Sequence, residues 1–247
     1  MHVRDRLLPS LKAFADLLAP RTCCVCGRRL ATNEDTICTT CFLELPLTGF
    51  FDNPYENDMA KAFWGRITNM EKAVALLYHQ AHGDSAHPVY QLKYRGKPDL
   101  GIDLGIVMGR MMMEKGLFDD IDAIVPVPLA KKRERQRGYN QSLMIALGLH
   151  DISRLPIIDE AVRRVAFEGS QTRKDRWDRA ENVEHAFELA DGNRLRGRHV
   201  LVVDDVVTTG ATVCAVAKEM EKAGEVRVSV AAVGYAGQWH ADNGKEE

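Results

Sequence analysis

One run constrains this 247-residue chain more than any other: Val200-Leu-Val-Val-Asp-Asp-Val-Val-Thr-Thr-Gly-Ala-Thr212. Val200 to Val203 form a continuous apolar stretch of strand length, as expected of a central parallel strand buried on both faces. Asp204 and Asp205 follow at once, which puts them at the end of that strand, the edge where ligands bind in open α/β sheets. Thr208 to Thr212 then lead into a helical pattern with Val213, Val216, Ala217 and Met220 at the apolar positions and Gly224 as the stop. Gly210 and Ala211 keep the turn small, so backbone N–H groups can approach an anion. The helix N-terminus adds its positive dipole end, and the hydroxyls of Thr208, Thr209 and Thr212 can donate hydrogen bonds. Paired carboxylates beside such a cradle suit a phosphorylated sugar with free hydroxyls. The plain alternative is a strand–turn–helix connection capped by Asp and Thr, but it accounts poorly for all these elements in this order. No Lys follows the glycine, so this is not a Walker loop.

The rest of the chain supports a parallel sheet. Ala73 to Tyr78, Ala123 to Pro128 and Val226 to Val233 read as strands, and the prolines terminate the second. Segments from about Asp84 to Leu92, Leu100 to Gly116 and Leu143 to Leu149 have helical spacing. Strand–helix alternation of this kind implies an α/β fold with a parallel, helix-covered sheet. A turn-rich stretch containing Pro46, Gly49, Asp52, Asn53 and Pro54 separates this region from a different N-terminal one. Three units are therefore expected: residues 1–55, an amphipathic helix and a cysteine cluster; residues 56–240, the α/β domain; and residues 241–247, a polar tail.

Five of the six cysteines lie between positions 23 and 41. The N-terminal leucines are interrupted by Lys12 and Asp16, so the start lacks the unbroken apolar core of a secretory signal. No run is long enough to cross a bilayer, and no membrane role is expected. The expected compartment is the reducing cytoplasm, where a cysteine cluster reads as a metal site before a disulfide framework. Cys23 with Cys26 and Cys38 with Cys41 form two Cys-x-x-Cys pairs separated by eleven residues, the spacing of a structural zinc ribbon with four cysteine ligands. Cys24 is ambiguous, and Cys214 reads as a core residue. His79, His82 and His87 form a looser group and read as surface or helix-end residues. Hydrophobic content of 45%, charged content of 28% and a net charge of -2 describe an ordinary globular protein and decide nothing about nucleic acid.

Further motifs sharpen the reading: Leu92-Lys-Tyr-Arg-Gly96; Val125-Pro-Val-Pro128 followed by Arg133-x-Arg-x-Arg-Gly-Tyr-Asn-Gln141; and Gln171 with Arg179, Asn182 and Phe187. With the Asp204 run and the cysteine pairs, the chain resembles the type I phosphoribosyltransferases. More narrowly, it resembles the ComF family, a competence-associated group similar to the transferase domain of amidophosphoribosyltransferases. The resemblance spans nearly the whole chain. It implies that Asp204 and Asp205 bind the ribose of phosphoribosyl diphosphate (PRPP) and act in catalysis. It also implies that Thr208, Thr209, Gly210, Ala211 and Thr212 hold the 5′-phosphate, and that Mg2+ bridges diphosphate and sugar oxygens. Type I transferases carry a pyrophosphate-binding loop after a strand end like that at Pro128. Lys131, Lys132, Arg133, Arg135 and Arg137 crowd this place, with Lys132 and Arg133 singled out for the diphosphate. A solvated basic helix start is the rival reading.

A second basic stretch, Arg163, Arg164, Arg173, Lys174, Arg176 and Arg179, suits a lid over the site. It equally suits a surface for single-stranded DNA, with Trp177 or Tyr139 for stacking. Two functions stay open on these grounds: phosphoribosyl transfer to an unknown acceptor with release of pyrophosphate, or a non-catalytic PRPP-binding or DNA-handling role in DNA uptake alongside single-stranded DNA or a competence helicase. Full amidophosphoribosyltransferase activity is not expected. Those enzymes carry a glutaminase domain with an N-terminal cysteine nucleophile, and here His2 follows Met1.

Overall fold

The computed structural model describes residues 20–23, 26–34, 37–79, 98–165 and 186–237, with the side chain of Lys132 excepted. Outside these lie the N-terminal amphipathic segment, Cys24, the helical pattern at 84–92, His82, His87, most of the second basic stretch with Gln171, Trp177 and Asn182, and the polar tail. Among the described residues four parallel strands form the main sheet: β1 (Met70–Tyr78), β2 (Ala123–Pro126), β5 (His199–Val207) and β6 (Arg227–Tyr235), in the order β1-β6-β5-β2. Two short strands, β3 (Val162–Arg164) and β4 (Phe187–Leu189), pair antiparallel in a small sheet of their own. No helix among the described residues is long and apolar enough to cross a membrane.

The central strand behaves as its composition predicts. Val200 to Val203 are fully buried, and alternate residues serve opposite faces. Val200 and Val202 join one core with Val228, Val230 and Phe63 and with Val213, Val216 and Met220 of α6 (Ala211–Glu221). Leu201 and Val203 join another with Ala231, Val233, Leu104 and Met108 of α3 (Pro98–Glu114), and Ile145 and Leu149 of α5 (Gln141–Ser153). Sequence reading places the Asp pair at the strand end. In the structure the strand runs on through it, because β6 extends to Tyr235 and keeps pairing Asp204 with Ala232, Val206 with Gly234 and Val207 with Tyr235.

Two small residues let α3 and α5 touch backbone to backbone. A Cβ on Gly148 would lie 2.0 Å from the Ile102 carbonyl oxygen, and one on Gly105 would lie 2.2 Å from that of Ile145. At the opposite end of the sheet from the Asp pair, a buried polar network closes the start of β5. Lys72 donates to Asp120, His199 Nε2 and Ser229 Oγ are 2.8 Å apart, and the His199 backbone N–H donates to Asp122 at 2.7 Å. His199 Nδ1 lies 3.2 Å from Asp120 Oδ2, outside hydrogen-bonding geometry. Burial pushes the His199 imidazole below its ordinary value, and the Asp120 charge only partly opposes this. Burial would raise the Asp120 carboxyl, but Lys72 outweighs it and the net shift is downward.

Gly148→Ala should destabilise the protein by about 3 kcal/mol or more in urea unfolding, since neither backbone can yield without moving a helix. An imidazole whose folded pKa is depressed favours the unfolded chain once protons are available. Stability should therefore fall as pH drops below the ordinary imidazole value of about 6.5. His199→Gln should flatten that slope between roughly pH 7.5 and 5.5, while the Asp120 contribution is lost only at lower pH.

Candidate functional site at the β5–β2 crevice

Adjacent strands β2 and β5 are followed by helices on opposite faces of the sheet, α5 on one and α6 on the other. This is a topological switch point, where the carboxyl ends of the strands open a crevice. Pairing of β2 with β5 ends at Pro126 opposite Val203, and one further bond joins Val127 N–H to the Val203 carbonyl. Asp204 and Asp205 come immediately after, where β5 has a sheet partner on one side only. Asp204 is buried and Asp205 half-buried.

A carboxylate in such a position must be held by donors. The Oδ1 atom of Asp204 accepts from the Asp205 N–H at 2.8 Å and from Ser142 Oγ at 3.2 Å. Ser142 is placed by its neighbour Asn140, the N-cap of α5, whose Oδ1 accepts from Ser142 N–H at 3.1 Å and whose Nδ2 donates to the Val127 carbonyl at 3.0 Å. Arg137 Nη1 donates to Gln141 Oε1 at 2.9 Å. The Arg137-Gly-Tyr-Asn-Gln141 motif is thus a buckle that fastens the proline segment after β2 and the start of α5 around Asp204. Among the described residues Gln141 Nε2 is buried with no hydrogen-bond partner, a cost that ordinary packing does not repay.

The phosphate-type loop leads from β5 into α6. Gly210 is the helix N-cap at φ +74°, a left-handed conformation that favours glycine, and Thr209 Oγ1 accepts from Ala211 N–H at 3.4 Å. Thr208 and Thr209 are exposed, and Ala211 and Thr212 are half-buried in the first turn.

The basic segment after β2 is not a loop. Lys131–Arg137 form the short helix α4, which begins after Ala130 without a side-chain cap and ends where left-handed Gly138 turns the chain out of the helix. The rival reading of a basic helix start is therefore correct for its backbone, and Lys132 and Arg133 both lie on α4. Only Val127 to Ala130 remain as a loop. Arg133 nevertheless stands close enough to Arg164 to push its guanidinium down, after burial, while Asp204 pulls it back up. Arg164 is half-buried, on β3, with its guanidinium 5.2 Å from the centroid of the Phe187 ring. Sequence reading left Arg164 in a basic run suited equally to a lid or a DNA surface, quoted Asn140 only as part of a motif and missed Ser142. The signal for Arg164 was Phe187, a member of the same motif set and its cross-strand partner.

The cysteine cluster forms as its spacing predicts. The Sγ atoms of Cys23, Cys26, Cys38 and Cys41 lie within 4.8 Å of one another, and those of Cys26 and Cys38 are 3.8 Å apart. A tetrahedral zinc site with bonds of about 2.3 Å has sulfur–sulfur edges of about 3.8 Å. Cys38 N–H points at Cys23 Sγ (3.4 Å), Cys41 N–H at Cys38 Sγ (3.5 Å) and the Arg28 guanidinium at Cys38 Sγ (3.5 Å), all donors that favour thiolates. The Arg28 backbone N–H is the main influence holding Cys26 down to about 6, while burial pushes Cys41 up. Glu34 staples the cluster by accepting from the N–H groups of Thr39 (2.7 Å) and Ala31 (2.8 Å). The donor set fits a closed, thiophilic metal site with no position left for catalysis.

The Phosphoribosyl transferase domain family matches residues 152–241, which include β5, the Asp pair and the loop. Competence protein F of Haemophilus influenzae is 36% identical over 110 residues, covering 44% of this chain and 48% of that protein. DNA utilization protein YhgH of Escherichia coli is 28% identical over 220 residues, covering 84% of this chain and 87% of that protein. Adenine phosphoribosyltransferase of Saccharomyces cerevisiae aligns over 58% of this chain and 72% of its own at 18% identity and a TM-score of 0.35, too low to carry any argument. The parallel sheet and the domain match define an α/β protein of the phosphoribosyltransferase type. Its relatives place it further: the chain is similar to proteins named for competence and for DNA utilization, and it carries a phosphoribosyl transferase domain.

Freshly purified protein should carry zinc in near-stoichiometric amount, and Cys38→Ser should lose most of it and make residues 20–45 protease-sensitive. Zinc content near zero in the unaltered protein would remove the ribbon assignment.

Proposed function

We propose that the crevice binds PRPP, with Asp204 and Asp205 on the ribose hydroxyls and Thr208 to Thr212 around the 5′-phosphate. The diphosphate lies towards the cations Lys132, Arg133 and Arg164. The observation that carries this reading is Asp204 itself: a buried carboxylate, oriented by Ser142 and the Asp205 N–H, a few residues before a left-handed glycine that opens α6. Arg164 adds to it, since a half-buried guanidinium within electrostatic reach of both Arg133 and Asp204 favours an anion beside it. Adjacent carboxylates also suit a divalent cation. Mg2+ would be held by Asp205 together with the ligand's own oxygens and would neutralise diphosphate charge.

In the transfer reading, the C1–O bond to diphosphate breaks and a bond from C1 to an acceptor nitrogen or oxygen forms. The diphosphate leaves with the bonding electron pair and the acceptor gives up a proton. The protein contributes positioning and electrostatic stabilisation, with no covalent intermediate. Asp204 and Asp205 hold the sugar, and the cations receive the leaving group. A role in the use of DNA is supported by the names of the competence and DNA-utilization relatives. Those names equally support a second reading, in which PRPP binding regulates a DNA-handling accessory factor without transfer.

Titration calorimetry tests the site. Asp204→Asn with Asp205→Asn should weaken PRPP binding in the presence of Mg2+ by at least about 30-fold, from the loss of charge-assisted bonds of roughly 2 kcal/mol. Equal affinity would remove the assignment. Pyrophosphate release from PRPP across a panel of amines, bases and single-stranded DNA separates transfer from binding alone.

A further inference from the structure

The stretch between the cysteine cluster and β1 is absorbed by none of the motifs above, yet it is built against the phosphate-type loop. Asn57 is buried and fastens its start. Its Oδ1 accepts from Ala60 N–H at 2.9 Å, capping the short helix α2 (Asp58–Lys61), and its Nδ2 donates to the carbonyls of Asn53 (2.8 Å) and Ala73 on β1 (2.7 Å). Tyr235, at the end of β6, donates from Oη to the Asp58 carbonyl at 3.3 Å. Phe63 follows, fully buried, with its ring against Gly210: a Cβ added there would lie 2.7 Å from Phe63 Cε1. Arg66 then donates from Nη1 to the Thr209 carbonyl at 2.7 Å and to the Ala62 carbonyl at 3.0 Å. Thr68 N–H donates to Glu221 Oε1 at 2.8 Å, at the last residue of α6. The segment is thus pinned to β1, to the loop before α6 and to the end of α6.

We propose that Arg66 is a positioning residue for the phosphate loop, holding the Thr209 carbonyl so that the N–H of Gly210 is aimed at the ligand. A trans peptide is planar, with its C=O and N–H pointing in opposite directions. The Thr209 carbonyl and the Gly210 N–H belong to one such unit, so a guanidinium that binds the first orients the second. Phe63 sets the depth of the same unit, because its fully buried ring lies against the Gly210 Cα. The guanidinium also adds a positive charge beside a loop read as a phosphate cradle. The inference rests on the reading of Thr208 to Thr212 as a phosphate site.

The experiment is calorimetric titration of the full chain with ribose 5-phosphate, together with the thermal unfolding midpoint of each variant. Arg66→Ala should weaken binding roughly ten-fold or more, the scale of one charge-assisted bond, with the midpoint nearly unchanged because the side chain is exposed. Arg66→Lys keeps one donor and the charge, and should recover affinity to within about three-fold of the parent. The proposal is overturned if the parent binds ribose 5-phosphate and Arg66→Ala binds it equally. It is also overturned if Lys fails to restore a loss that Ala causes. A parent protein that does not bind ribose 5-phosphate would overturn the phosphate reading itself, and this inference with it.

Discussion

The rest of the structure depends on the burial of β5 between β6 and β2. Val200 to Val203 are shielded on both faces and paired on both edges, so this strand has no freedom to slip or tilt. Its neighbour β2 ends at Pro126 while β6 continues to Tyr235. Carboxylates at positions 204 and 205 are tolerable because the sheet opens there on one side, and a polar group inside the covered part would go unsatisfied. One strand register therefore decides where the charge sits, where the loop begins and where α6 starts.

Elements distant in the chain converge on that register. From the β2 side, Asn140 and Ser142 tie the start of α5 to the Val127 carbonyl and to Asp204. From the small second sheet, Arg164 is stacked on Phe187 and stands within electrostatic reach of both Arg133 and Asp204. From the N-terminal side, Phe63 and Arg66 press against Gly210 and Thr209. Each of these groups is held by backbone or aromatic contacts of its own, which keeps the crevice organised without help from a ligand. The cysteine cluster lies apart from this convergence, and its buried part among the described residues is Cys23, Cys38, Cys41 and Leu30, with Ile37 packed against them.

Much of this was readable in the chain. The strand at Val200, the helix after Gly210, the two cysteine pairs and the placement of Asp204 and Asp205 beside a phosphate-type loop all follow from local patterns, and local patterns survive because burial periodicity and turn chemistry act over a few residues. The reading went astray where neighbours decide the outcome. The Asp pair lies within β5 because β6 is long enough to pair with it. The Lys131 run is a short helix that left-handed Gly138 stops, and the loop before it is confined to Val127 to Ala130. Arg66 drew no attention because an arginine in an irregular stretch has no periodic signature, and its partner is the carbonyl of a residue 143 positions away.

By itself, then, the sequence determined the inventory: a doubly buried parallel strand, paired carboxylates, a small glycine turn before a helix and four cysteines at ribbon spacing. These are properties of neighbouring residues, governed by steric and hydrophobic rules that need no knowledge of the fold. The tertiary structure alone decided which distant groups surround the Asp pair and hold the loop. Ser142, Arg164, and Phe63 with Arg66 reach it from three separate places in the chain, and only the packing of α5, the second sheet and the N-terminal segment on one parallel sheet brings them together. The physical reason is range: a hydrogen bond or a ring contact is specific only within a few ångströms, and the chain separations it spans here leave no local trace in the sequence.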